Sequence, residues 1–218
     1  MIDIPREIEA VHREVGERDL PAGAGRTVRL AREFDAPIDD VWDALTNPER
    51  IRRWFLPISG DYRLGGRYQF EGNAGGEIVA CERPNRLKVT WAYGEIAADA
   101  DVSELEVRLS AVDGGVTRLE LEHTAIVPEG PWTEYGPGAV GVGWDQGLLG
   151  LTLHLRGRAR VEDPAAWQLS PDGRDFATRS SEAWGEANRA AGADPATVAR
   201  GVENTTAFYA PNTDTAAT

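Results

Sequence analysis

The sequence predicts an α+β fold in which a curved antiparallel sheet wraps around one long helix. Three observations predict it. Segments between residues 68 and 123 alternate apolar with polar side chains, turn residues separate them, and one apolar stretch over 139–155 is too long for a strand.

In chain order, Ile8, Val11 and Val15 recur at helical spacing among charges, which predicts an amphipathic helix over residues 5–18 that breaks at 21–25. Val28, Leu30, Ala31 and Phe34 then mark an opening strand from Thr27 to Asp35. Pro37 stands at a first helical position with Asp39 and Asp40 in the first turn, and Val41, Trp42 and Leu45 form the apolar stripe. Asn47 caps a second helix beginning at Pro48, with Ile51, Trp54 and Phe55 on its buried face.

The strands follow. Tyr68 and Phe70 alternate with polar residues; Ile78 and Ala80 precede the Arg83-Pro84-Asn85 turn; Leu87, Val89 and Trp91 come after it. Leu105, Val107 and Leu109 oppose Glu104, Glu106 and Arg108, and the Asp113-Gly114-Gly115 turn leads to Leu119, Leu121 and His123 opposite Arg118, Glu120 and Glu122. One face of this meander is wet and the other must be covered. The cover is the 139–155 helix, where Val140, Trp144, Leu148, Leu151 and Leu155 recur every three or four positions. Gly143, Gly147 and Gly150 make a low ridge on it. Each glycine costs a helix about 1 kcal/mol relative to alanine, so either a neighbouring backbone or a ligand needs that space.

Beyond Gly157 the composition turns hydrophilic, and Pro164, Pro171 and Gly173 read as a loop. Ser180 or Ser181 caps a helix through Ala191, and Asp194-Pro195 opens another that runs to about Tyr209. Trp184, Phe208 and Tyr209 are expected to dock on the main domain or on a second copy, so a homodimer through this tail is an expectation; residues from Pro211 on are expected to fray. The organisation is an N-terminal helical extension (1–25), a main domain (26–157) and a helical appendage (158–218).

Composition narrows the function. The chain has 218 residues, 41% hydrophobic and 27% charged, enough for a core without metal or disulfide support. The lone Cys81 and the charged, uninterrupted start predict a cytoplasmic protein without a secretory signal. The 139–155 stretch contains Asp145 and Gln146 and is short for a membrane span. A formal charge of −13 opposes nucleic acid, and the basic runs at 50–53 and 156–160 read as a solvated helix face and a helix end.

The segments REFDAPIDDVWDALTNPERIRRWF (32–55), LGGRYQFEG (64–72), RPNRLKVTWAYG (83–94) and GPGAVGVGWDQGLLGLTLHL (136–155) resemble the SRPBCC superfamily, in the branch named for the activator of heat shock protein 90 ATPase. The similarity covers about residues 26–157, and the tail resembles extensions of actinobacterial members. The resemblance implies a START-like helix-grip fold, β-α-α-β-β-β-β-β-α, with a cavity between sheet and last helix where relatives hold apolar ligands. It implies no particular activity. The namesake co-chaperone also uses a separate N-terminal domain, for which only a short helix stands here.

Candidate ligand contacts are Trp42, Trp54, Tyr68, Phe70, Val89, Trp91, Leu105, Val107, Leu119, Leu121, His123, Trp144, Leu148 and Leu151, because pockets favour aromatic walls with few polar groups. His123, on the inward parity of its strand, Asp145, the one charge of the central helix, and Tyr68 are the candidate acids or bases. No metal is expected, since HxH, HExxH and CxxC spacings are absent. No cofactor is expected either. Gly136-Pro-Gly138-Ala-Val-Gly141 matches G-x-G-x-x-G but follows a loop rather than a strand, so it reads as helix-start chemistry. The leading expectation is a module binding a small apolar molecule. The alternatives are a cyclase- or hydrolase-like enzyme on such a ligand, and a chaperone regulator acting through its surface.

Overall fold

The computed structural model describes residues 2–93, 103–158 and 163–211. A short helix, α1 (Ile4–Glu9), precedes two strands, β1 (His12–Leu20) and β2 (Gly23–Phe34). Helices α2 (Ile38–Thr46) and α3 (Pro48–Ile51) follow, and then β3 (Ile58–Gly60), β4 (Arg67–Phe70), β5 (Gly75–Glu82), β6 (Arg86–Thr90), β7 (Ser103–Val112) and β8 (Val116–Ala125). Five helices complete the described chain: α4 (Glu129–Tyr135), α5 (Gly138–Leu155), α6 (Pro164–Leu169), α7 (Pro171–Ala190) and α8 (Pro195–Tyr209).

The eight strands form one sheet in the order β1-β2-β8-β7-β6-β5-β4-β3, and the pairings from β2 through to β3 are antiparallel. Its register lines up a row of side chains on the inner face: Val28, His123, Leu105, Val89 and Ile78. A second row holds Leu30, Leu121 and Val107, and a third Arg32, Leu119 and Leu109. The outer face carries charges that pair across strands: Arg18 and Lys88 reach Glu104, Arg18 and Arg29 reach Glu122, and Arg86 reaches Glu106, which Arg108 of the same strand also contacts. Opposite charges on neighbouring strands support the register that the apolar face demands.

The first helix is far shorter than expected. Residues 5–18 are not one helix, because the chain turns extended at His12 and joins the sheet edge beside β2. Val11 and Val15 sit four apart by coincidence of a strand with charges on both faces; pairing with β2, not periodicity, decides the segment. The tail differs too. Ser180 and Ser181 lie inside α7, which starts at Pro171 under a Ser170 cap whose side chain accepts from the Gly173 N–H. Gly173 belongs to its first turn, where a Cβ would fall 2.0 Å from the Trp167 carbonyl oxygen. The loop expected after β8 contains α4, and Pro37 lies one residue ahead of α2. The Asn47-Pro48 and Asp194-Pro195 helix starts are as read, with both caps accepting from backbone N–H groups. The fraying expected of residues after Pro211 lies outside the described residues.

By contact the chain divides into two compact units, Met1–Val15 with Val127–Gln146 and Val161–Thr218, and Gly16–Ile126 with Gly147–Arg160. Helix α5 contributes its first half to one and its second half to the other. The sheet unit buries Leu30, Phe34, Val41, Trp42, Leu119, Leu121, Leu149 and Leu151; the helical unit buries Ile4, Ile8, Val142, Phe176, Trp184 and Val198. The expected single stripe on α5 is therefore incomplete: Val140 is exposed, whereas Val142, Leu149 and Leu153 are buried. A helix covered on more than one side is apolar on more than one side.

Candidate functional site

In the sheet unit, the aromatic candidates meet in an unbroken run. Trp54 lies against Phe55 (centroids 5.6 Å), Phe55 edge-on to Phe70 (5.0 Å), and Phe70 against both Tyr68 (5.6 Å) and Trp91 (5.5 Å). Such offset and edge contacts are the geometries that ring quadrupoles favour. The Trp54 indole N–H donates to the Ala44 carbonyl at 3.0 Å, which ties the ring to α2. Trp42, Val89, Leu105, Val107, Leu119, Leu121, Leu148 and Leu151 are buried in the same unit. Trp144, half-buried, and Asp145 fall in the other unit.

His123 is a polar residue of the inner face, in the row of Val28, Leu105 and Val89. Its Nε2 lies 3.0 Å from the Ser103 Oγ on β7, and both residues are buried. Burial alone pushes the imidazole down to about 4, so it is neutral at physiological pH. Tyr68 donates its hydroxyl proton to the Thr90 carbonyl at 2.7 Å, and burial raises its pKa above the ordinary phenol range. Neither group is poised to exchange a proton near pH 7.

The central-helix glycines divide in their roles. A Cβ on Gly150 would stand 2.5 Å from the Trp54 carbonyl oxygen, so a neighbouring backbone claims that space. In the helical unit a Cβ on Gly141 would lie 2.2 Å from the Trp184 ring, and one on Gly143 3.3 Å from the Tyr209 hydroxyl. Gly147 has nothing within 4 Å. Close packing thus accounts for Gly141 and Gly150, and Gly147 faces open space.

Asp145 is buried, and its carboxylate accepts from Arg13 Nε and Nη2 (both 3.0 Å), from Ser180 Oγ (2.5 Å) and from the Trp184 indole N–H (3.1 Å). Arg13 Nη1 also donates to the Ile8 and Val11 carbonyls. Burial pushes the Asp145 carboxyl up, and the guanidinium and the two neutral donors oppose that push. The cluster fastens α5, α7 and the segment after α1 to one another. Of the three candidate acids or bases, each is bonded to a different set of neighbours.

Sequence reasoning missed Ser103, Arg13, Ser180 and the buried Arg32. Arg32 shares the inward parity of Val28 and Leu30, with its guanidinium 5.6 Å from the Phe34 ring centroid. Parity alone would have found Arg32 and Ser103, but Arg13 lies 132 residues from Asp145 and left no local signal.

Among the described residues no helix is long and apolar enough to cross a membrane. No curated protein matches the chain. CalU16 from Micromonospora echinospora is similar at 36% identity: its crystal structure aligns over 83% of this chain and 99% of CalU16 with a TM-score of 0.64, and its solution structure over 83% and 96% with 0.67. PFC0360w, an HSP90 activator from Plasmodium falciparum, shares the fold at 22% identity over 60% of this chain and 96% of its own, with a TM-score of 0.50. DynU16, a protein of the dynemicin biosynthetic locus, shares it at 23% identity over 62% of this chain and 50% of its own, also at 0.50. The likeness to CalU16 extends beyond the family core, because the model described as Activator of Hsp90 ATPase homolog 1-like protein matches residues 35–156, little more than half of the chain. With its helix-grip α+β architecture, the chain belongs to that family, a branch of the SRPBCC superfamily.

Proposed function

We propose that the domain binds a small, largely apolar molecule against the inner face of its sheet, with the Ser103–His123 pair as the polar contact. The observation that carries this reading is the joined run of five aromatic side chains, Trp54, Phe55, Phe70, Tyr68 and Trp91, beside rows of aliphatic residues in which the neutral Ser103–His123 pair sits in one row and Arg32 in another. Apolar walls supply affinity, and one hydrogen-bonding point orients the ligand. A neutral imidazole next to a hydroxyl suits a ligand hydroxyl or carbonyl group better than a charge.

A catalytic role would need two of His123, Tyr68 and Asp145 converging on one reacting atom. Their separate hydrogen-bond partners favour binding without chemistry. The test is a fluorescence titration with an apolar anilinonaphthalene dye and its competition by polycyclic phenols. Saturable binding at one site, weakened at least tenfold by the filling substitution Val107→Trp with folding checked by circular dichroism, is expected. Absence of saturable binding to the folded wild type refutes the proposal.

A further inference from the structure

Helix α5 starts inside the helical unit, at the Gly136-Pro137-Gly138 elbow where it leaves α4. Its first intrahelical bond runs from the Gly141 N–H to the Pro137 carbonyl, so the N–H groups of Gly138, Ala139 and Val140 have no acceptor within the helix. The elbow forms one wall of a crevice of about 190 Å³, counting its open mouth, whose other walls include Ser181 and Asn188 of α7 and Val202 and Thr205 of α8. Only a group about the size of a water molecule reaches its floor.

Asn188 is 93% buried, being 7% exposed. Its amide end lines the crevice, with Nδ2 3.4 Å from the position a Cβ would take on Gly136. Among the described residues its side chain makes no hydrogen bond, whereas its carbonyl receives the Ala193 N–H. The amide atoms are not sealed off from solvent, so a water or another small group in the crevice can answer them. The two hydroxyls nearby do not: Ser181 donates to the Ala177 carbonyl and Thr205 to the Tyr135 carbonyl. Donors therefore remain on Asn188 and at the α5 terminus, where the helix dipole favours negative charge.

We infer that this crevice accepts a carboxylate group, held by the Asn188 amide and the Gly138 N–H, the one first-turn amide of α5 that lines it. The narrow floor excludes phosphate esters and sugars but admits one carboxylate oxygen. No cation lines the crevice and the Ser181 and Thr205 oxygens offer only lone pairs, so the affinity is weak, in the millimolar range for the isolated group. Two sources carry this chemistry, a small free acid and the C-terminus of a peptide.

The experiment is a titration of the ¹⁵N-labelled full chain with sodium acetate at constant ionic strength, with chloride as the balancing salt. The Gly138 backbone and Asn188 side-chain amide signals are followed. Saturable shifts at both are expected, with at least a tenfold loss of affinity in Asn188→Asp, which keeps the shape and adds a like charge, and in Asn188→Leu. Shifts that grow linearly, or that match in wild type and both variants, overturn the inference, as does an amide signal that responds to nothing because an ordered water alone satisfies it. If Asn188→Leu fails to fold, the isosteric aspartate variant and the wild-type mapping still decide. Glycylglycine and its C-terminal amide separate the sources: a dipeptide that outcompetes acetate while its amide does not bind identifies a chain terminus, and acetate binding more tightly identifies a free acid.

Discussion

Replacing Arg13 by methionine leaves the Asp145 carboxylate buried without its counter-charge. The pair is among the most enclosed in the molecule, with side chains 6% and 1% exposed, and two parallel N–H to oxygen contacts of 3.0 Å join them. Removing one partner of such a pair costs about 3–5 kcal/mol, because the remaining charge is stranded in low dielectric. For a chain of this size each kcal/mol lowers the melting temperature by about 2–4 °C, so Arg13→Met is expected to lower it by roughly 6–20 °C. Asp145→Asn strands the guanidinium instead and falls in the same range. The double variant removes both charges while its amide oxygen still accepts from Ser180 and Trp184, so it is expected to be no less stable than either single variant. A double-mutant cycle read by urea denaturation checks this through a favourable coupling of about 3 kcal/mol. Single-variant losses under about 1 kcal/mol, or losses that simply add, would show that the cluster is not a buried ion pair and refute the reasoning.

Two further outcomes follow from burial and packing. His123 titrates near 4 when folded and near 6.5 when unfolded, so the unfolded chain binds the extra proton first and stability falls as pH drops from about 6.5 to about 4. The shift corresponds to about 3 kcal/mol of acid sensitivity, which His123→Asn removes and which pH-dependent urea curves of the two proteins measure as their difference. On α5, Gly147→Ala is expected to stabilise by up to about 1 kcal/mol because the new methyl meets open space, whereas Gly141→Ala is expected to cost about 1–3 kcal/mol against the Trp184 ring. Melting temperatures that move in the same direction for both glycines would contradict the assignment of their roles.

The sheet was legible because period-two alternation and Gly-rich turns act locally. Asp113-Gly114-Gly115 turns the chain as read, with both glycines at positive φ (79° and 82°) between β7 and β8. Edge pairing was not legible. Residues 12–20 are strand because β2 is beside them, and their own pattern of charges on both faces does not say so. The start of α7 was legible and overlooked: Ser170-Pro171 repeats the cap-proline signature of Asn47-Pro48 and Asp194-Pro195. For the candidate site, strand parity placed His123 and the aliphatic rows correctly on the inner face. The identity of the Asp145 partners could not be read, since they come from three separate stretches of chain. The glycine ridge showed the need for space near α5, but which neighbour fills it depends on where Trp54 and Trp184 fold back.

Native mass spectrometry of the protein purified from its own host, followed by extraction and identification of what it carries, tests binding of an apolar ligand most directly. The account predicts a stoichiometric small organic molecule that is lost on unfolding and absent from the Val107→Trp variant. A mass matching the bare polypeptide, in a protein that also fails to take up any apolar compound offered to it, would contradict the account.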